Sequence, residues 1–164
     1  MPPMRHIVPL LFLLIGLAIS SAHTAAWAAN AEVSGKQSEV FGPAAIEVGG
    51  VLVRLEGLRA PTNEQVCSEG PVLWTCGRDA RWATLNRLGN HWIVCQDRGR
   101  DSDGSFIGLC FLGGVGGPEL NAWLVEKGWA LTDAIGAERY VNEETSARAE
   151  RLGLWRNGIE PNWE

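Results

Sequence analysis

Apolar positions along the chain fall first into one unbroken run, Ile7 to Ile19, then into short alternating stretches punctuated by glycine, then into stretches with helical spacing. Alternation over Glu39-Val40-Phe41, Ala44 to Val48 and Val51 to Leu55 predicts strands, and Gly49-Gly50 between the last two predicts a hairpin turn. Pro61 to Thr75 has no periodicity and is expected as a loop. Gly77 to Leu88 is expected as a helix with Ala80, Trp82, Leu85 and Leu88 roughly along one side. A second hairpin is predicted from His91 to Asp97 and Ser105 to Leu112, followed by the connector Gly113-Gly114-Val115-Gly116-Gly117. The next helix has Pro118 in its first turn, Leu120, Trp123 and Leu124 on its apolar face and Gly128 as its stop. A third helix is expected from about Glu138 to Leu152, with a Glu144–Arg148 pair at i,i+4 and Gly153 ending it. Strands pairing near neighbours in sequence, with helices grouped around them, give an α+β domain with a small antiparallel barrel.

The first apolar run changes the reading of the N-terminus. With Arg5 and His6 before it and Ala26-Trp27-Ala28 after it, it fits a signal peptide over residues 1–28, cut before Ala29. The run is shorter than the roughly 20 residues that span a bilayer. An exported protein, periplasmic or secreted and with no transmembrane anchor after cleavage, is therefore expected. Residues 29–164 make a single domain of 136 residues. With Arg5 set aside, 13 basic residues against 19 acidic give a formal charge of −6, whereas polyanion binding by counterion release usually needs a basic chain.

All four cysteines, Cys67, Cys76, Cys95 and Cys110, lie in that domain, and an even count in an exported chain suggests disulfides. Cys95 and Cys110 straddle Asp101-Ser102-Asp103-Gly104 symmetrically, so a turn at Ser102-Asp103 sets them opposite each other. Cys67 then pairs with Cys76. Their spacing lacks the tight pairs of a zinc site, so zinc is not expected there; no cofactor is expected for the domain unless a rearranged active site holds calcium.

Nucleophile schemes fail because His91 is the one histidine after cleavage and the cysteines are bonded. Asp101-Ser102-Asp103-Gly104 opens like a calcium loop but lacks the later ligands, so a plain turn is expected. Arg98 and Arg100 form an anion-binding edge or pair with Asp97 and Asp101. Of the seven tryptophans in the domain, Trp74, Trp92 and Trp163 offer stacking surfaces or simple packing, and Trp82 and Trp123 fit the core.

Taken together, several stretches resemble the staphylococcal nuclease (thermonuclease) family. They are Val48-Gly49-Gly50, Val53 to Pro61, Cys76-Gly77-x-x-Ala80, Leu120 to Val125 with Gly128-Trp129-Ala130, and Ala147-Arg148 through Gly153-Leu154-Trp155. The resemblance implies a five-stranded antiparallel OB-type barrel with three helices. It also implies a phosphodiesterase chemistry in which carboxylates hold calcium, a glutamate serves as base and two arginines clamp the phosphate.

This sequence departs from that motif. The family's metal-binding Asp-Gly-Asp-Thr falls on Gly42-Pro43-Ala44-Ala45, its second metal aspartate on Arg59, its glutamate on Thr62 and its second arginine on Ser105. Arg54 alone is retained. Loss of a general base alone costs roughly 10²–10⁴-fold in rate. The expectation is a catalytically inactive binding or structural module, with no intact catalytic set. Its partner would be an envelope protein, an oligonucleotide or an oligosaccharide. Arg54 and Arg59 either form a metal-free anion pocket or pair with carboxylates such as Glu56. The alternative is a weak calcium-dependent nuclease acting on DNA or RNA through displaced carboxylates, Glu47, Glu56, Asp101 or Asp103, around a rearranged site.

Overall fold

A computed structural model describes residues 31–157; the expected signal segment and Trp163 lie outside them. The strands are β1 (Glu32–Gly35), β2 (Gln37–Gly42), β3 (Ala45–Val48), β4 (Val51–Leu55), β5 (Leu58–Arg59), β6 (Cys67–Glu69), β7 (Val72–Trp74), β8 (Ile93–Arg100), β9 (Phe106–Leu112) and β10 (Leu131–Thr132). The helices are α1 (Cys76–Leu88), α2 (Leu120–Glu126), α3 (Gly136–Arg139) and α4 (Val141–Ala149), followed by a 3₁₀ turn over Gly153–Trp155.

Alternation places Ile46 and Val48 of β3, and Val53 and Leu55 of β4, in the core, where each is under a twentieth exposed. Six strands form one sheet in the order β1-β8-β9-β4-β3-β2. The expected five-stranded antiparallel barrel is corrected in two respects. The sheet is mixed, because β4 and β9 run parallel, with Val53 opposite Phe106. Its ladder is also open, with β1 and β2 as its end strands. A parallel pair needs a crossover, and the chain between β4 and β9 supplies it through α1. β1 and β2 are separated by Lys36 alone and pair with opposite ends of the sheet, which bends the sheet around the core.

α1 buries Cys76, Ala80, Thr84 and Leu88, a four-residue spacing on one face. Trp82 falls off that stripe and is 52% exposed, so its expected core role is corrected. Trp123 does pack against the core, with the Arg87 guanidinium 5.2 Å from its ring centre. Pro118 precedes α2 instead of opening it, because its carbonyl accepts the Leu112 N–H at 2.9 Å.

The single third helix is in fact two, broken at Tyr140, which has φ −115° and ψ 24°. Tyr140 is buried, and its hydroxyl donates to Glu119 at 2.6 Å. The Glu144–Arg148 pair gives way to other partners. Glu144 accepts the N–H and hydroxyl of Thr132, and Arg148 lies 5.3 Å from the Trp155 ring centre. Gly128 and Gly153 allow α2 and the C-terminal turn to meet: a Cβ on either would lie 2.3 Å from a carbonyl oxygen of the other segment. The Pro61 to Thr75 segment, expected as loop, contains the β6–β7 hairpin.

Both cysteine pairs form as expected. Cys95 lies opposite Cys110 in the β8–β9 ladder and is bonded to it, and Cys67 is bonded to Cys76.

Candidate functional site

The β3–β4 and β8–β9 strands end around a cleft of about 470 Å³. Its walls include Gly42, Pro43, Ala44 and Ala45 from the β2–β3 turn, Arg54 to Leu58 around the end of β4, and Thr62. Of the positions set against the nuclease motif, Gly42 to Ala45, Arg54 and Thr62 line this cleft, and Arg59 and Ser105 do not. Thr62 sits there because Gly77, in the first turn of α1, packs against its backbone. A Cβ on Gly77 would lie 1.7 Å from the Thr62 carbonyl oxygen, so no larger residue permits this packing.

Arg54 is held by the tip of the β8–β9 hairpin. Its Nη2 donates to Asp103 Oδ2 at 2.8 Å, and its Nε lies 3.0 Å from Asp101 Oδ2. The tip is a turn in which Gly104 N–H donates to the Asp101 carbonyl at 2.9 Å, and both aspartates point to Arg54. Hydrogen bonds from Ser105, with a further one from Arg54, hold the Asp103 carboxyl far below its usual range. The same pair raises the Arg54 guanidinium, led by its bond to Asp103.

Of the two alternatives for Arg54, pairing with carboxylates is the one found, with Asp101 and Asp103 as its partners in place of the suggested Glu56. Arg59 does not line the cleft: β5 pairs with β10, and Arg59 Nε donates to the Thr132 carbonyl at 3.3 Å. The cleft's second cation is Arg98, whose Nε lies 3.5 Å from Glu56 Oε2. The strand register shifts between Asp97 and Gly99, so Arg98 occupies a bulge, a feature that re-aims a side chain. Arg100 pairs with Asp97 at 2.8 Å, as expected, whereas Arg98 pairs with Glu56 and Asp101 with Arg54. The Gly99 N–H first and Arg100 second lower the Asp97 carboxyl.

Asp133 and Ile135 line the cleft from the segment before α3 and carry no motif that would have revealed them. For Arg98 a signal existed, since a glycine after it inside a strand pattern marks a bulge. Glu47 lies on β3 opposite Leu52 and does not line the cleft, whereas Glu56 and Asp101 do. Among the described residues no three histidine, cysteine, aspartate or glutamate side chains converge as metal ligands.

The backbone of Glu56, a cleft residue, is held by Asn121, which is fully buried. It accepts the Cys110 N–H at 3.1 Å and donates to the carbonyls of Glu56 at 3.0 Å and Gly108 at 3.3 Å. His91 and Trp92 are exposed just before β8, outside the cleft. Trp74 is covered by Arg156, 4.0 Å from its ring centre. No helix among the described residues is long and apolar enough to cross a membrane.

Comparison with known proteins supplies an independent reading. The family described as staphylococcal nuclease homologue matches residues 52–157. The succinoglycan biosynthesis protein ExoI of Rhizobium meliloti (strain 1021) is 32% identical over 123 residues, covering 73% of this chain and 63% of that relative. The aligned region therefore spans less than two thirds of the relative's length.

Proposed function

The chain belongs to the staphylococcal nuclease homologue family, and we propose that it is an exported member without metal-assisted phosphodiester cleavage that acts as a binding module through its cleft. The observation that carries this reading is the content of the motif positions. Gly42, Ala44 and Thr62 line the cleft where the resemblance calls for two metal carboxylates and a base, while Arg59 replaces the other metal aspartate. Arg54, the retained cation, is already engaged by Asp101 and Asp103. A phosphate would have to displace two carboxylates that the hairpin holds in place.

Export is supported by the N-terminal apolar run with its small-residue site and by two disulfides in the domain. The relative is named for succinoglycan biosynthesis, which makes a glycan a ligand class to weigh beside an oligonucleotide or an envelope protein.

A weak calcium-dependent phosphodiesterase is the second reading, favoured by Glu56, Asp101 and Asp133 lining the same cleft. The test is cleavage of single-stranded DNA and RNA by the oxidised protein, with calcium and with chelator, beside Arg54→Ala. The proposed function predicts no cleavage in either condition. Calcium-dependent cleavage that disappears in Arg54→Ala would establish the second reading instead.

A further inference from the structure

Resting on the binding-module reading, we infer that the cleft takes an uncharged, hydroxyl-rich ligand, a saccharide unit, in preference to a phosphate. The polar groups decide this. Two cations, Arg54 and Arg98, face the cleft with three carboxylates, Glu56, Asp101 and Asp133, and Asp103 is a fourth carboxylate on Arg54. An incoming anion meets an excess of like charge, and both guanidinium groups already have internal partners.

Glu56 Oε2 supplies the second argument. It is buried, makes no hydrogen bond, and lies 3.5 Å from Arg98 Nε. A buried acceptor without a donor is costly, and a ligand that brings one is favoured. The oxygens of a phosphodiester accept and cannot meet that need, whereas a sugar hydroxyl both donates and accepts. Oε2 is closed to solvent beside Arg98, so a hydroxyl reaches it by parting this 3.5 Å pair, and would then donate to the carboxylate and accept from the guanidinium.

The apolar walls agree with a ring that has C–H faces. Pro43, Ala44, Leu58 and Ile135 line the cleft, and Ile135 is 66% exposed at its rim. No aromatic side chain among the described residues lines it, so a nucleobase lacks the stacking platform that single-stranded nucleic acid uses. The volume of about 470 Å³ lies within the size range of small-molecule sites.

The test is an amide NMR titration of the oxidised protein with neutral hexasaccharides (a glucan, a galactan and a mannan), with inorganic phosphate, and with a thymidine hexanucleotide. At least one neutral sugar is expected to shift Glu56, Gly57 and Thr62, with affinity changing less than about twofold between low and high salt. Glu56→Ala should weaken it at least about tenfold. Ile135→Ser, a change at an exposed rim position, should weaken it by a smaller factor and serves if the first variant does not fold. Shifts with phosphate or the hexanucleotide and none with the sugars would overturn the inference, as would no shift with any sugar. Either result leaves the cleavage test untouched, so loss of the ligand assignment is distinguishable from loss of the binding-module reading.

Discussion

At the residue scale, Arg54 shows how neighbouring carboxylates occupy a cation that the family resemblance singles out. Its partners are carboxylates from the hairpin tip, held by that tip's own backbone: Ser105 N–H donates to Asp103 Oδ1 at 2.9 Å, and Ser102 N–H to Asp101 Oδ1 at 2.7 Å. Because the folded state lowers the Asp103 pKa, its contribution is fully present above about pH 3.9, the value of an unfolded aspartate. It is lost as pH falls through the lower folded-state value. A carboxyl ¹³C titration should therefore find Asp103 still ionised near pH 3.9, where an ordinary aspartate is half protonated. Asp101→Asn with Asp103→Asn should leave the fold intact and allow inorganic phosphate to reach Arg54, read as a shift of its Nε–H resonance. Failure of phosphate to bind would mean that the tip does not block this arginine. Asn121 is the corresponding structural residue. Asn121→Ala removes three hydrogen bonds and leaves the buried Cys110 N–H unsatisfied, so a loss of about 2 to 4 kcal/mol is expected in urea unfolding.

Elements differ in how plainly they could be read from the chain. The β3–β4 hairpin, the β8–β9 hairpin and α1 were legible because alternation, a Gly-Gly turn and a stretch of helical residues are local signals. β5 and β10 are two residues each and exist through pairing with each other, a long-range fact that no local pattern carries. The parallel β4–β9 contact is likewise tertiary. The break at Tyr140 follows from burying that ring and bonding its hydroxyl to Glu119, neither of which is visible from helix propensity. The disulfides belong to this scale as well. Cys95 and Cys110 tie adjacent strands and are fully buried, with 15 residues of sequence separation. Replacing both with alanine should cost about 3 kcal/mol and lower the thermal midpoint. An unchanged midpoint would show that the ladder alone holds this hairpin.

The whole molecule combines a family fold with a cleft of mixed charge. Family membership was legible because the turn, strand and helix motifs occur in the right order from Val48 to Trp155, and the family matches residues 52–157. The residues at the positions matched to the motif could be read from the chain, since only residue identity is involved. The cleft's other groups could not: Arg98 enters through a bulge, and Asp133 and Ile135 enter from a segment far along the chain. The net charge of −6 for residues 29–164 agrees with a cleft in which carboxylates outnumber arginines, and both argue against a polyanion ligand. The central claim is that this cleft no longer supports the family's metal chemistry. It is tested most directly by titrating calcium into the oxidised protein and following the amides of Ala44, Glu56, Asp101 and Asp133. The account predicts no saturable shift at these positions; saturable, coincident shifts at Glu56, Asp101 and Asp133 would contradict it and establish a rearranged calcium site.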